Sequence, residues 1–119
     1  MTPTVSTHLP AGEFYRLRDR WLDYVAERAD IHPTTRLVAI WIARRINPRT
    51  KDTWHQISTI ARCLGLSTRT VIRAIRALEN EGLLLVRRGG PRGKRAAVNR
   101  YEMVGPWTLQ GDAHVTSTR

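Results

Sequence analysis

The stretch from residue 57 to residue 85, ISTIARCLGLSTRTVIRAIRALENEGLLL, constrains the fold more than any other part of the chain. It predicts two short helices joined by a tight turn, with a strand following the second helix directly. Gly65 supplies the backbone freedom for the turn, and Ser67 is a good N-cap for the second helix. Gly82 is a natural residue just past that helix's C-terminus.

The second helix of this stretch has two contrasting faces. Arg69, Arg73 and Arg76 stand at i, i+4 and i+7 and share one face, with Thr70 beside them. The apolar residues recur at three- and four-residue steps and are expected to form a buried face: Val71, Ile72, Ile75 and Leu78. A helix with one buried and one arginine-rich face suits the major groove of DNA.

The charge of the chain supports a polyanionic partner. Twenty lysine and arginine residues against ten aspartate and glutamate residues give a net charge of +10 over 119 residues, a length that fits one domain. Residues 67–100 contain nine basic and two acidic residues, a net charge of +7. Most of the excess therefore lies in the second helix and in the segment that follows it.

That following segment predicts a β-hairpin. LLLVRR and RAAVNRYEMV are β-like runs separated by the Gly/Pro-rich tip GGPRGK. The basic residues around the tip are interpreted as a wing that touches DNA phosphates or a minor groove, in preference to a merely solvated loop: Arg87, Arg88, Arg92, Lys94 and Arg95.

Before the stretch, two more helices are expected. Residues 34–47 are apolar around much of the helical circumference, which predicts a well-buried central helix capped by Thr34 or Thr35. Trp54, after it, is expected on a very short strand or as a plug in the core. Residues 13–30 form an amphipathic N-terminal helix, and residues 1–12 and 105–119 are expected to be an arm and a tail.

The amphipathic N-terminal helix allows two interpretations. Its apolar stripe either packs on the chain's own core, the simpler alternative, or pairs with its copy in a homodimer, which its aromatic content suggests. The candidate dimer interface consists of Phe14, Leu17, Trp21, Tyr24 and Val25.

Other functional classes have little support in the sequence. His8, His32, His55 and His114 lack the spacing of a metal site, and Tyr101 is expected to be a strand residue rather than a nucleophile. We expect no catalysis, cofactor, metal or small-molecule ligand. Cys63, the single cysteine, is expected to be a buried small hydrophobe. With no signal peptide or membrane-spanning run, a cytoplasmic, nucleoid- or plasmid-associated protein is expected.

A family resemblance rests on residues spread from 31 to 104. They are Pro33-Thr34, Leu37, Val38, Trp54, Ile60-Ala61, Leu64-Gly65-Leu66-Ser67, Thr70-Val71, Leu78-Glu79, Gly82-Leu83 and Asn99-Arg100-Tyr101. In this pattern the chain resembles the winged helix-turn-helix domains of plasmid and phage replication proteins and of small bacterial regulators. His55-Gln56 depart from the resemblance, because Pro-Ser is common at that place in the family. The fold class expected is mainly α with a small β-hairpin wing and an extra N-terminal helix.

The resemblance and the charge together imply a sequence-specific binder of double-stranded DNA. Base reading is assigned to Arg69, Thr70 and Arg73, in the first turns of the recognition helix over residues 68–81. Backbone contacts are assigned to Ser67, Thr68, Arg76 and the basic wing residues. A small transcriptional regulator, acting as a homodimer, is favoured. A replication initiator, or a protein-interaction module in a replication or transfer complex, is the alternative.

Overall fold

The computed structural model describes residues 10–89 and 98–105, which form four helices and one three-stranded antiparallel sheet. The helices are α1 (Ala11–Ala26), α2 (Pro33–Ala43), α3 (Ile57–Leu64) and α4 (Thr68–Asn80). The strands are β1 (Thr53–His55), β2 (Leu84–Arg87) and β3 (Asn99–Met103). This mainly helical chain with a β-hairpin confirms the predicted fold class.

The sheet is small, and β3 is its central strand. The strand order is β1-β3-β2, with Trp54 of β1 opposite Arg100 and Val86 of β2 opposite Tyr101. Pairing of β2 with β3 is the predicted hairpin, while the tip over residues 90–97 lies outside the described residues. Trp54 stands on a short strand, as one alternative held, and its 58% exposure rules out a core plug.

Helix α2 lies at the centre of the packing and contacts α1, α4 and β3. It begins at Pro33, and its N-cap is His32, whose Nδ1 accepts a hydrogen bond from the Thr34 amide at 3.0 Å. The prediction of a threonine cap was therefore wrong, because proline at the first helical position leaves the preceding residue to cap. Burial is also less complete than predicted, since Leu37 is 44% exposed.

Helix α1 packs on the chain's own core. Phe14, Trp21 and Val25 are fully buried, and the Trp21 indole Nε1 donates a hydrogen bond to the Val104 carbonyl at 2.9 Å. This bond joins α1 to the residue that follows β3, so that the N-terminal helix is part of the same core as the hairpin.

Candidate nucleic-acid interface

The turn between α3 and α4 sets the direction in which α4 leaves the core. Gly65 ends α3 in the left-handed region at φ 69°, where a side chain would be strained. The Leu66 amide then donates to the Ala61 carbonyl at 2.9 Å. Ser67 caps α4 by accepting a hydrogen bond from the Thr70 amide at 3.1 Å. The predicted roles of Gly65 and Ser67 at this turn are therefore confirmed.

Helix α4 is divided sharply into a buried and an exposed side. Its buried residues pack against α2 and α3, and they are Val71, Ala74, Ile75 and Leu78. The exposed side, called the arginine face below, consists of Thr68, Arg69, Ile72, Arg73 and Arg76 and borders one shallow groove. The prediction that Ile72 is buried was wrong. The side chain lies at the edge of the buried face of α4 and is 39% exposed.

The three arginines of the arginine face are electrostatically unpaired. Within residues 10–89 and 98–105, no hydrogen bond or ion pair joins Arg69, Arg73 or Arg76 to another part of the chain. Some other arginines of the described chain do contact carboxylates, as Arg28 contacts Asp30 at 2.7 Å. The arginine face therefore presents three exposed positive charges to a ligand from outside.

Thr70 has a different environment from its arginine neighbours. It is half-buried, and its hydroxyl oxygen accepts a hydrogen bond from the Ser67 hydroxyl at 2.9 Å. It also borders a cavity between α4 and the start of α2, together with His32 and Arg73. Ser67 and Thr70 thus shape the start of α4 and lie at the edge of the arginine face.

Only the root of the predicted wing belongs to the described residues. The Arg88 guanidinium binds both carboxylate oxygens of Glu79, at 3.0 and 2.8 Å, and this contact raises the pKa of Arg88. Arg87 is exposed, with Nε 3.4 Å from Glu102. Arg92, Lys94 and Arg95, to which phosphate or minor-groove contacts were assigned, lie outside the described residues.

The ion pairs of β3 were not predicted from the sequence. Arg100 binds Asp52 at 2.6 Å and Glu102 at 3.0 Å, and its guanidinium lies 5.8 Å from the centre of the Trp54 ring. These carboxylates neutralise Arg100, which is therefore a structural residue of the sheet. Alternation along a strand does place Arg100 and Glu102 on one side, but the approach of Asp52 depends on the pairing of β1.

The candidate dimer interface is largely enclosed within the chain. Phe14, Leu17, Trp21 and Val25 are buried in the core, and half-buried Tyr24 receives a hydrogen bond from Arg28 at 3.0 Å. The first of the two interpretations of α1 is thus the arrangement seen, because hydrophobic burial is satisfied within one chain. In this arrangement the four buried side chains are not available to a second copy.

Three further features of the described chain bear on function. Cys63 is exposed on α3, so the expectation that it is buried was wrong; only Ile60 and Ala61 of that helix are buried. None of the described helices has both the length and the apolar character needed to cross a membrane. Among these residues, no cluster of histidine, cysteine or acidic side chains has the arrangement of a metal site.

The structure has the parts of a winged helix-turn-helix domain: helices α1 to α3, the helix α4 that follows the turn at Gly65, and the antiparallel hairpin. The comparison with protein families agrees: residues 29–84 match the model of a helix-turn-helix domain. The match runs from the loop before α2 to the first residue of β2, so this part of the chain is similar to helix-turn-helix domains, a fold typical of DNA-binding proteins. No curated protein and no solved structure matches the chain.

Proposed function

We propose that the chain is a sequence-specific binder of double-stranded DNA and acts as a small transcriptional regulator. The observation that carries the proposal is the arginine face: three guanidinium groups that pair with no carboxylate of residues 10–89 and 98–105 lie on a helix whose other side is buried. Arginine side chains in this position pair with the two acceptor atoms of guanine in the major groove. Arg69 and Arg73 are the proposed base readers, while Arg76 contacts the backbone.

Supporting contacts come from the start of α4 and from the wing. The free amides at the start of α4 and the Thr68 hydroxyl suit a phosphate group, and Ser67 joins them when its hydroxyl proton turns from Thr70 to the phosphate. Thr70 is also a proposed base reader. Its hydroxyl oxygen accepts a hydrogen bond from Ser67, which leaves the hydroxyl proton for donation to a base acceptor. The basic residues of the hairpin add phosphate or minor-groove contacts that hold the domain without specifying sequence.

The test is a selection of bound sequences from random duplexes, followed by titration of the retained site. Arg73→Ala is expected to weaken the selected site by ~1–3 kcal/mol and to relax the preference at one base pair. Arg20→Ala is the matched control, because it removes one exposed arginine from α1, away from the arginine face. Equal losses for the two variants on the selected site would mean that charge alone, and not α4, determines binding.

The salt dependence gives a second measure of the same proposal. If roughly six phosphates are neutralised, log K falls with log salt at a slope of about −5. An affinity that is the same at low and moderate salt contradicts a charge-driven interface. The selected sequence also separates the biological alternatives, since a palindrome fits a dimeric regulator and tandem repeats fit a replication initiator.

We also propose a homodimer, which pairs two recognition helices with two half-sites. The proposed contact is the outer side of α1 and α2, where Leu37 is 44% exposed and Leu22 and Ile40 border an open cavity. The same cavity is bordered by Asp23 and Arg44, so a two-fold arrangement can place unlike charges opposite each other.

Light scattering tests the proposed homodimer: Leu37→Asp is expected to give monomers, whereas Val98→Asp, an equivalent change on the hairpin, leaves dimers. A wild-type chain that is monomeric both alone and on DNA contradicts the dimer.

A further inference from the structure

Ile72 is an apolar side chain in the middle of a positively charged surface. It is 39% exposed, whereas its neighbour Val71 and Ile75 on the next turn are buried. On the helix surface it lies between Arg69 and Arg76, three residues before it and four after it. All three border one groove of the arginine face.

The inner side of Ile72 faces the root of the hairpin. It borders a second, smaller cavity of ≈ 230 Å³ between α4 and the root of the hairpin, together with Ile57 and Ile75. A β-branched side chain in a helix has one strongly preferred χ1 rotamer. The two branches at Cβ of Ile72 therefore have few orientations open to them, which lowers the entropy cost of ordering the side chain against a ligand.

The major groove of DNA offers few features that suit an isoleucine. Its base edges present hydrogen-bond donors and acceptors, and the apolar feature among the four standard bases is the C5-methyl group of thymine. A methyl group at C5 of cytosine has the same chemistry and the same position. A phosphate or an unmethylated base edge would instead lose water on approaching Ile72 without gaining a partner.

We propose that Ile72 is a specificity residue that binds the 5-methyl group of a pyrimidine in the major groove. The inference rests on the proposed function, because it requires α4 to lie in that groove. Along the helix axis Ile72 is about 4.5 Å from Arg69 and about 1.5 Å from Arg73. Base pairs are about 3.4 Å apart. The methylated pyrimidine is therefore expected one base pair away from a guanine read by these arginines, or on the partner strand of the adjoining pair.

The test replaces each thymine of the selected site in turn by uracil, which removes the methyl group and leaves every hydrogen-bonding group unchanged. For the wild-type chain, one such replacement is expected to weaken binding by about fourfold, the factor expected for burying one methyl group. Ile72→Ala is expected to bind the thymine and uracil duplexes equally. Val98→Ala, which trims an apolar side chain of similar exposure on the hairpin, keeps the full dependence on the methyl group.

A second arm distinguishes the two sources of the methyl group. At the responsive position, duplexes with cytosine and with 5-methylcytosine are compared. Tighter binding of the methylated duplex by the wild type, but not by Ile72→Ala, assigns the subsite to 5-methylpyrimidines in general; no gain restricts it to thymine. Selective binding that is indifferent to every uracil replacement overturns the role of Ile72 and leaves the proposed function intact. If no sequence is retained by selection, the proposed function itself fails.

Discussion

Arg88, at the root of the hairpin, and Glu79, on α4, form an ion pair in which the guanidinium reaches both carboxylate oxygens, at 3.0 and 2.8 Å. The pair fixes the orientation of the hairpin root relative to the helix that carries the arginine face. The Arg88 guanidinium, to which a phosphate contact is assigned, is bound to Glu79 in this arrangement. A bidentate arginine–carboxylate pair is strongly directional. It therefore sets the distance between the hairpin root and α4 and also contributes to stability.

Glu79→Gln is expected to release Arg88 and make it available to a phosphate. The salt slope on random duplex DNA should then steepen by about 0.9, the value for one additional phosphate contact. The free energy of unfolding should fall by no more than ~1 kcal/mol, because the pair is partly solvated. Both quantities are obtained from binding titrations at several salt concentrations and from urea unfolding.

Glu81→Gln is the matched control for that experiment. It removes the same charge two residues further along, where Glu81 binds Arg28 at 2.7 Å instead of a hairpin residue. It should leave the salt slope unchanged. If both variants steepen the salt slope equally, the general loss of negative charge is responsible, and Glu79 does not keep Arg88 from contacting a phosphate.

Trp21→Phe is expected to destabilise the domain by leaving the Val104 carbonyl without its buried indole donor. Such a loss costs about 1–3 kcal/mol, in addition to the loss of packing from a smaller ring. A fall of roughly 4–8 °C in Tm per kcal/mol follows for a domain of this size. Trp54→Phe is the control, because Trp54 is 58% exposed and its change should shift Tm little. Equal shifts for the two variants would contradict the bond as the anchor of α1.

The local features of the α3–α4 stretch could be predicted from the sequence because neighbouring residues determine them. The cap at Ser67 and the turn at Gly65 depend on atoms within a few residues along the chain. The environment of Ile72 could not be predicted, because helical periodicity gives the direction of a side chain but not the extent of its neighbours. The ion pair of Arg88 could not be predicted for a similar reason, because the fold brings its partner Glu79 on α4 near it.

The N-terminal helix shows a second limit of sequence patterns. An apolar stripe with aromatic residues shows that a face must be covered, but the pattern is the same whether α2 or another chain covers it. The structure covers Trp21 and Val25 within one chain, with the indole bonded to Val104. That contact joins residues 83 positions apart, a separation at which local periodicity contains no information.

Gly65→Ala is expected to destabilise the domain through the backbone alone. Gly65 has φ 69°, and a methyl group built at its Cα meets no atom within 4 Å, so the cost is the left-handed conformation of about 1–2 kcal/mol. Gly12→Ala is the control, because its added methyl is also unobstructed but the residue lies in α1 without a left-handed φ. Urea unfolding should show a loss for the first variant and no loss for the second. A loss of the same size in both would contradict strain at the turn.

The stability of the domain should depend on pH through His55. The pKa of His55 is lowered mainly by burial and to a lesser extent by the positive charge of Arg45. His55 on β1 packs edge-on against Trp41, with ring centres 4.8 Å apart, and its Nε2 lies 2.8 Å from the Thr53 hydroxyl. In the unfolded chain the imidazole titrates near its ordinary value of about 6.5. Between the lowered and the ordinary pKa the unfolded chain binds more protons, so stability is full above about pH 6.5 and falls as the pH decreases below it.

His55→Gln should remove this pH dependence, because glutamine does not titrate and can keep a hydrogen bond to Thr53. Urea unfolding at pH 7.5, 6.5 and 5.5 is expected to show a steeper loss for the wild type than for this variant. His32→Asn is the control, since asparagine is a good N-cap for α2 and the variant retains His55. It should follow the wild-type curve. Parallel curves for the wild type and His55→Gln would mean that burial of His55 does not govern the acid side of the stability profile.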